Sequence, residues 1–194
     1  PLHMRDIALL HQAGLKVVLI PGARRRIDEV LTNAKIKWTY NENIRVTSQD
    51  AMPLIKMAAF DVSNTVMTSL AANNITAVIG NWVRARGKGV LGGFDFGTAG
   101  EIDKLETEAI KTVLNDGFIP IFPCIGWNAA GHPYNISSML LAKQVAMNLK
   151  ADKLFFMMYD EKISANRYYI PDSISLSESG TIKTKNIKTA LNIR

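Results

Sequence analysis

Short apolar runs recur along this chain between stretches of helical periodicity, and no other feature narrows the fold as much. Lys16-Val17-Val18-Leu19-Ile20, Ala77-Val78-Ile79-Gly80, Phe118-Ile119-Pro120-Ile121-Phe122 and residues 153–158 are mostly continuous rather than alternating. That is the pattern of strands buried on both faces. Residues 4–12, 24–33, 52–72 and 106–114, and a stretch beginning at Ser137 or Ser138, carry apolar residues three and four apart. Gly14, Asn73-Asn74 and Asp116-Gly117 stop three of these helices. Strands alternating with helices predict an α/β fold, a three-layer sandwich around a mostly parallel central sheet. The 194 residues carry no repeat and no low-complexity linker, so residues 1–194 read as a single domain.

Between these elements the pattern is less regular. Residues 38–43 read as polar and irregular, and Ile44-Arg45-Val46 as a brief extended piece. Thr47 or Ser48 is placed to cap the next helix, with Asp50 as the acidic member of a capping box and a bend near Pro53 or Ser63. Residues 81–90 read as extended, with Val83 and Ala85 alternating against Arg84 and Arg86. Residues 87–100 read as a loop or hairpin, and 126–133 as a loop turning at Ala130-Gly131. Pro120 argues for an edge or distorted strand. After Asp160 the signal weakens, apart from a possible strand at residues 167–170, and 161–194 read as a weakly structured or peripheral part.

Composition removes several functions. No apolar run is long enough to cross a bilayer and the start carries no secretory pattern, so a cytoplasmic location with no membrane partner is expected. The single cysteine, Cys124, allows no intrachain disulfide and reads as a small buried hydrophobe. Net charge is +6, from 23 basic and 17 acidic residues, concentrated at Arg24-Arg25-Arg26, at Arg84, Arg86 and Lys88, and at Lys183, Lys185, Lys188 and Arg194. No nucleic-acid recognition motif accompanies it, so no nucleic-acid partner is expected. His3, His11 and His132 have no companions at ligand spacing, so no metal site is expected.

Three places have the chemistry of a binding site. Pro21-Gly22-Ala23-Arg24-Arg25-Arg26 joins the end of a strand to the start of a helix, where free N–H groups and the helix dipole favour an anion. Three arginines there oppose the dipole unless an anion, a carboxylate or a subunit contact compensates; an exposed basic turn is the plain alternative. Arg45 offers a five-donor fork to a carboxylate, or is a surface arginine in a strand. Asn135, Ser137 and Ser138 enter a helix N-terminus, as ordinary caps or as donors to a ligand.

Asp6-Ile7-Ala8-Leu9-Leu10-His11, Gly22-Ala23-Arg24 with Ile27-Asp28, Asn43-Ile44-Arg45-Val46-Thr47, Gly80-Asn81, Asp116-Gly117-Phe118-Ile119-Pro120 and Asn135-Ile136-Ser137-Ser138 follow in one order. In that order, over residues 5–158, the chain resembles the amino-acid-kinase-like domain of the bacterial-type N-acetylglutamate synthases, which is related to N-acetylglutamate kinase. The resemblance implies an amino-acid-kinase (carbamate-kinase-like) fold, in part, with the first strand and a C-terminal acetyltransferase domain outside this sequence. It implies a parent amino-acid N-acetyltransferase that makes N-acetyl-L-glutamate from acetyl-CoA and L-glutamate in arginine biosynthesis. Acetyl-CoA is then the parent's cofactor, with none in this chain. L-arginine or N-acetylglutamate is the expected small-molecule partner, and a homo-oligomer, dimer or hexamer, the expected assembly.

Carried onto this sequence, Gly22 and Ala23 match the glycines that meet the bound amino acid, and Arg24 replaces a further glycine. Arg45 matches the arginine that takes the ligand's carboxylate, and Asn135 the asparagine on its other side. Ser137 completes the ligand-binding set. Two aspartates of the kinases are replaced by Met139 and Met158, which neither accept a charged hydrogen bond nor hold magnesium well. The lysine of their first strand precedes this sequence. The resemblance therefore implies no catalytic residue here, and a fragment inactive alone. Two alternatives stay open: an N-acetylglutamate kinase or other amino-acid kinase fragment, and a non-catalytic structural or interaction module.

Overall fold

Ile119, Pro120 and Ile121 are almost wholly inaccessible, and the first part of the molecule is assembled around them. The computed structural model describes residues 2–41 and 44–157 and the two-residue strands Ser173–Ile174 and Asn192–Ile193. The chain divides into two compact units, residues 1–141 and 142–194.

In the first unit, α1 (Leu2–Gln12) ends at Gly14, whose φ of 94° is open to glycine at little cost. There follow α2 (Arg24–Asn33), β1 (Thr39–Asn41), β2 (Ile44–Val46) and α3 (Met52–Ala71). Pro53 sits in the first turn of α3, where its missing N–H costs nothing. Then come β3 (Ala77–Ile79), β4 (Val83–Gly87), β5 (Val90–Leu91), β6 (Phe94–Asp95), β7 (Gly100–Leu105), α4 (Thr107–Asn115), β8 (Ile119–Ile121), β9 (Ile125–Trp127) and β10 (Pro133–Asn135). Helix α5 (Ser138–Leu149) begins at the end of this unit.

The α/β sandwich holds, and its sheets are mixed. β8 pairs in parallel with β3, and on its other side with Leu19. Of the two readings of Pro120, an edge or a distorted strand, this removes the first and leaves the second. Leu19 N–H donates to the Pro120 carbonyl and Phe122 N–H to the Leu19 carbonyl. The donor that proline lacks would have met residue 17, so the run at residues 16–20 pairs at Leu19 alone. Ile119 and Ile121 join a cluster with Ile7 and Ala8 of α1 and Leu70 of α3. The alternate residue Phe122 lies 6.1 Å from Trp82, centroid to centroid, on the other face. A second sheet, ordered β10-β9-β4-β7, is parallel only between β4 and β9.

α2 packs on α3 through Ile27, Leu31 and Ile55, with Ile125 of β9 in the same cluster. Burying each of these side chains contributes about 1.5–3 kcal/mol.

Strands β1, β7, β9 and β10 were not expected. β7 is mostly polar and is held by antiparallel pairing to β4, with Arg86–Glu101 as one cross-strand ion pair at 3.3 Å. β9 and β10 form a hairpin whose turn is closed by Asn128 Oδ1, which accepts from the N–H groups of Ala130 and His132. The capping box is also corrected. A 3-10 turn, Gln49–Ala51, precedes α3; Ser48 makes no side-chain cap bond, and the buried Thr47 hydroxyl meets Thr98 instead.

In the second unit β11 (Leu154–Phe155) is, among the described residues, an edge strand, antiparallel to β13 (Asn192–Ile193), which runs parallel to β12 (Ser173–Ile174). Phe155 is exposed, so the expectation of a central strand at 153–158 is corrected. Met158 and residues 167–170 lie outside the described residues. Among the described residues no helix is long and apolar enough to cross a membrane.

Gly97 fastens the β5–β6 hairpin to Thr47. Its φ is 54°, and a Cβ there would stand 2.0 Å from the Thr47 carbonyl oxygen. Gly97→Ala is expected to cost about 2–3 kcal/mol of stability in urea unfolding. An unchanged midpoint would contradict the contact.

Candidate functional site

Helix α2 starts without a side-chain cap: Ala23 occupies the cap position, and no acidic residue lies in the first turn. Its first free N–H groups therefore have no side-chain acceptor, while three arginines add charge of the sign the dipole disfavours. Arg26 is neutralised on the surface by Glu29 at 3.1 Å and Asp61 at 2.8 Å. The guanidinium of Arg24 lies over the Tyr40 ring, 4.0 Å from its centroid.

Arg45, in the middle of β2, is 6% exposed. Its Nη2 donates to Asp28 Oδ1 at 2.7 Å, to the Tyr40 hydroxyl at 2.6 Å and to the carbonyl of Arg24 at 3.0 Å. The Tyr40 hydroxyl in turn donates to Asp28. Nη2 carries two hydrogens and faces three acceptors, while the buried Nε–H has no partner. A buried N–H left so costs about 1–3 kcal/mol. Burial raises the pKa of Tyr40 above that of an ordinary tyrosine, against the lowering field of Arg45; the hydrogen bond to Asp28 adds to the rise.

Gly22, Ala23, Arg24 and Arg45 come together, joined by the bond from Arg45 to the Arg24 carbonyl. A Cβ at Gly22 would stand 3.4 Å from Ser138 Oγ, so the turn backs onto the start of α5. Ser137 caps that helix: its hydroxyl accepts from Leu140 N–H at 3.5 Å. Asn135 is opposite Ile125, which packs with Ala23. The main chain of Asn135 is used in pairing, and its side-chain amide has no hydrogen-bond partner among the described residues. Below the turn lies Cys124, at φ 53°, whose thiol points to the Pro21 carbonyl at 3.5 Å and whose pKa is pushed up to about 12 by burial.

Asp28 and Tyr40 were missed. Asp28 reads as an ordinary helical acid. The signal for Tyr40 was the two-residue spacing between Asn41 and Ile44, which suits a tight hairpin and sets Tyr40 opposite Arg45. His132 lies by an open cleft of about 460 Å³ with Met52, Lys56 and Tyr134, and a second of about 390 Å³ includes Phe60 and Trp127. Neither reaches the turn, whose donors and charge make it the better candidate. Among the described residues no three His, Cys, Asp or Glu side chains gather as metal ligands.

The sequence matches the Amino acid kinase family over residues 3–167. It is 34% identical over 160 residues to the amino-acid acetyltransferase of Shewanella oneidensis, covering 78% of this chain and 36% of that protein. The chain thus spans about a third of the length of the curated relatives it matches. The fold matches N-acetylglutamate synthase from Neisseria gonorrhoeae complexed with coenzyme A and N-acetyl-glutamate, with a TM-score of 0.80 and 29% identity over 92% of this chain and 42% of that one. The same enzyme complexed with coenzyme A and L-arginine matches with a TM-score of 0.76 and 28% identity, over 92% of this chain and 44% of that one.

Two outcomes follow from the cluster. Arg45→Ala strips a charged partner from the half-buried Asp28 and is expected to cost about 1–3 kcal/mol in urea unfolding; no loss would contradict the ion pair. The raised pKa of Tyr40 means that the folded state holds the phenol proton more tightly than the unfolded one. Its contribution to stability is then complete below the unfolded value of about 10 and is lost as pH rises through the folded one. Unfolding midpoints of wild type should fall more steeply in alkali than those of Tyr40→Phe; parallel curves would contradict this.

Proposed function

This chain belongs to the amino acid kinase family, and from that premise we propose that it is the amino-acid-binding, regulatory region of an N-acetylglutamate synthase. The parent enzyme would make N-acetyl-L-glutamate from acetyl-CoA and L-glutamate, with the acetyl transfer carried out elsewhere than in this chain. Similarity to amino-acid acetyltransferases about three times as long as the matched region supports this. L-arginine is the ligand proposed, with N-acetylglutamate as the alternative occupant and a homo-oligomer as the working assembly.

One observation carries the binding reading. A guanidinium almost out of contact with water touches the first residue of an uncapped helix, and its described hydrogen bonds all run through Nη2. A carboxylate at this turn would take the free helix amides beside that positive charge, an arrangement favoured by both the helix dipole and the guanidinium. Gly22 lets such a ligand approach the main chain, and the Ser137 hydroxyl and the Asn135 amide supply neutral hydrogen-bonding groups nearby.

The kinase alternative has less support. Phosphoryl transfer needs bound metal and dense positive charge about the phosphate. Met139, at the start of α5, is exposed and brings no carboxylate.

Titration calorimetry with L-arginine, N-acetyl-L-glutamate and magnesium ATP tests the proposal. Saturable binding of one of the first two, without ATP binding, is expected. Arg45→Lys keeps the charge but loses the fork, and should weaken carboxylate binding by about 2–5 kcal/mol if the contact is dry. Magnesium-dependent ATP binding, or unaltered affinity in Arg45→Lys, would overturn it.

A further inference from the structure

Val90 is the most exposed large apolar side chain among the described residues, at 65%, and Leu91 and Phe94 beside it are 49% and 39% exposed. All three belong to the β5–β6 hairpin, which turns through Gly92-Gly93 with φ of 57° and 77°, the left-handed pair that a two-residue turn uses. Strand alternation puts Leu91 and Phe94 on one face of the tip, and Val90 with the exposed Asp95 on the other. A free hairpin this short is marginal in water, but the base of this one is anchored. Phe96 is buried, with the Phe94 ring edge-on at 5.3 Å and the Lys88 ammonium 5.1 Å over its face, and Gly97 is pressed against the Thr47 carbonyl. The apolar tip is thus presented to water on a fixed support, and a projection already fixed has little ordering cost to meet when a partner receives it.

A depression adjoins it. The two open clefts, of about 390 and 460 Å³, meet at Lys56 near the start of α3. The first is lined by Met57, which is 52% exposed, and by Phe60 and Trp127, whose rings meet edge to face at 6.3 Å. The second reaches Gln49 and Tyr134, and both touch the base of the hairpin. Gln49 Nε2 donates to the Gly97 carbonyl at 3.4 Å, and a Cβ at Gly87 would stand 3.1 Å from the Tyr134 ring. Projection and depression are therefore parts of one continuous surface of the first unit. Their charges are opposite. Among the described residues no carboxylate lines either cleft, so Lys56 makes the groove positive. The hairpin offers Asp95, while its own Lys88 is occupied by Glu101 at 3.4 Å.

A two-fold contact between identical chains needs one patch that is complementary to itself, and a patch with a projection, a depression and opposite charges on the two meets that need. Deepening the homo-oligomer reading, on which it rests, we propose that this chain dimerises about a two-fold axis, with the β5–β6 hairpin of each copy seated in the groove beside α3 of the other. Leu91 and Phe94 cover the apolar cleft at the partner's Met57, Phe60 and Trp127. Asp95, on the opposite face of the tip, meets the partner's Lys56 where the two clefts join.

Sedimentation equilibrium of the full chain measures the dimer dissociation constant. Leu91→Asp and Phe94→Asp at the tip, and Met57→Asp in the groove, should each raise it about thirtyfold or more, with an unchanged far-ultraviolet spectrum as the check on folding. Asp95 Oδ1 accepts from Gly97 N–H at 2.9 Å, a bond that Asp95→Asn keeps while removing the charge. The effects of Asp95→Asn and Lys56→Gln should depart from additivity by about threefold or more, since the two groups share one contact. Mixed Leu91→Cys and Met57→Cys chains should form a disulfide between copies on oxidation, the native Cys124 being buried. A wild-type dimer that all three aspartate variants leave intact overturns this surface and leaves the homo-oligomer reading standing. A wild type that stays monomeric overturns both, leaving the tip to a partner of another kind. Tip variants that dissociate the dimer while Met57→Asp does not, with no mixed disulfide, overturn the groove as the seat of the hairpin. Additive charge variants overturn the contact between Asp95 and the partner's Lys56.

Discussion

A guanidinium taken out of water must be given acceptors, because the cost of desolvating an unpaired charge is several kcal/mol. Arg45 is given three, and they come from different places: Asp28 from α2, Tyr40 from β1 and the carbonyl at the first turn of α2. This one side chain fastens the β1–β2 hairpin to the helix that α3 packs against. The loop leading into α2 is fastened from the other direction, by Cys124 under Pro21 and by Ser138 beside Gly22. The turn is thereby held from both sides, and under the proposed function such a preformed shape would lower the ordering cost of binding.

The sheets explain why the turn lies where it does. Leu19 pairs with β8, so the chain leaves the parallel sheet at its carboxyl end just before Gly22. Ile125, four residues beyond Ile121, packs against α2 and pairs with β10, which delivers Asn135 and then the N-terminus of α5. Two strand-to-helix transitions, at residues 20–24 and 135–138, therefore meet back to back. In open α/β sheets this end of the strands is where ligands are held, since helix N-termini converge there.

How much of this was legible depended on what holds each element. The helices and the runs at residues 77–79 and 119–121 carry their own periodicity and were readable. β1, β7, β9 and β10 exist because a partner strand supplies their hydrogen bonds; Thr39-Tyr40-Asn41 and the charged run at residues 101–104 have no apolar signature of their own. Pro120 allowed an edge or a distorted strand, and the second holds: it lacks a donor, and the neighbour on that side pairs at one position only. Arg45 and the glycine turn stood out in the sequence as two separate candidates, and the bond from Arg45 to the Arg24 carbonyl brings them together. The internal carboxylate that occupies part of the fork was not legible, because nothing local distinguishes Asp28 from a solvent-facing acid in a helix.

The balance of donors about Arg45 is the feature on which the binding account stands. A crystal structure of the chain soaked with N-acetyl-L-glutamate or L-arginine examines it most directly. The account predicts a ligand carboxylate on the main-chain amides that follow Gly22, beside the Arg45 guanidinium, with the Asp28–Arg45 pair intact. A ligand seated in the cleft beside Trp127 or His132 instead, with the turn at Gly22 untouched, would contradict it.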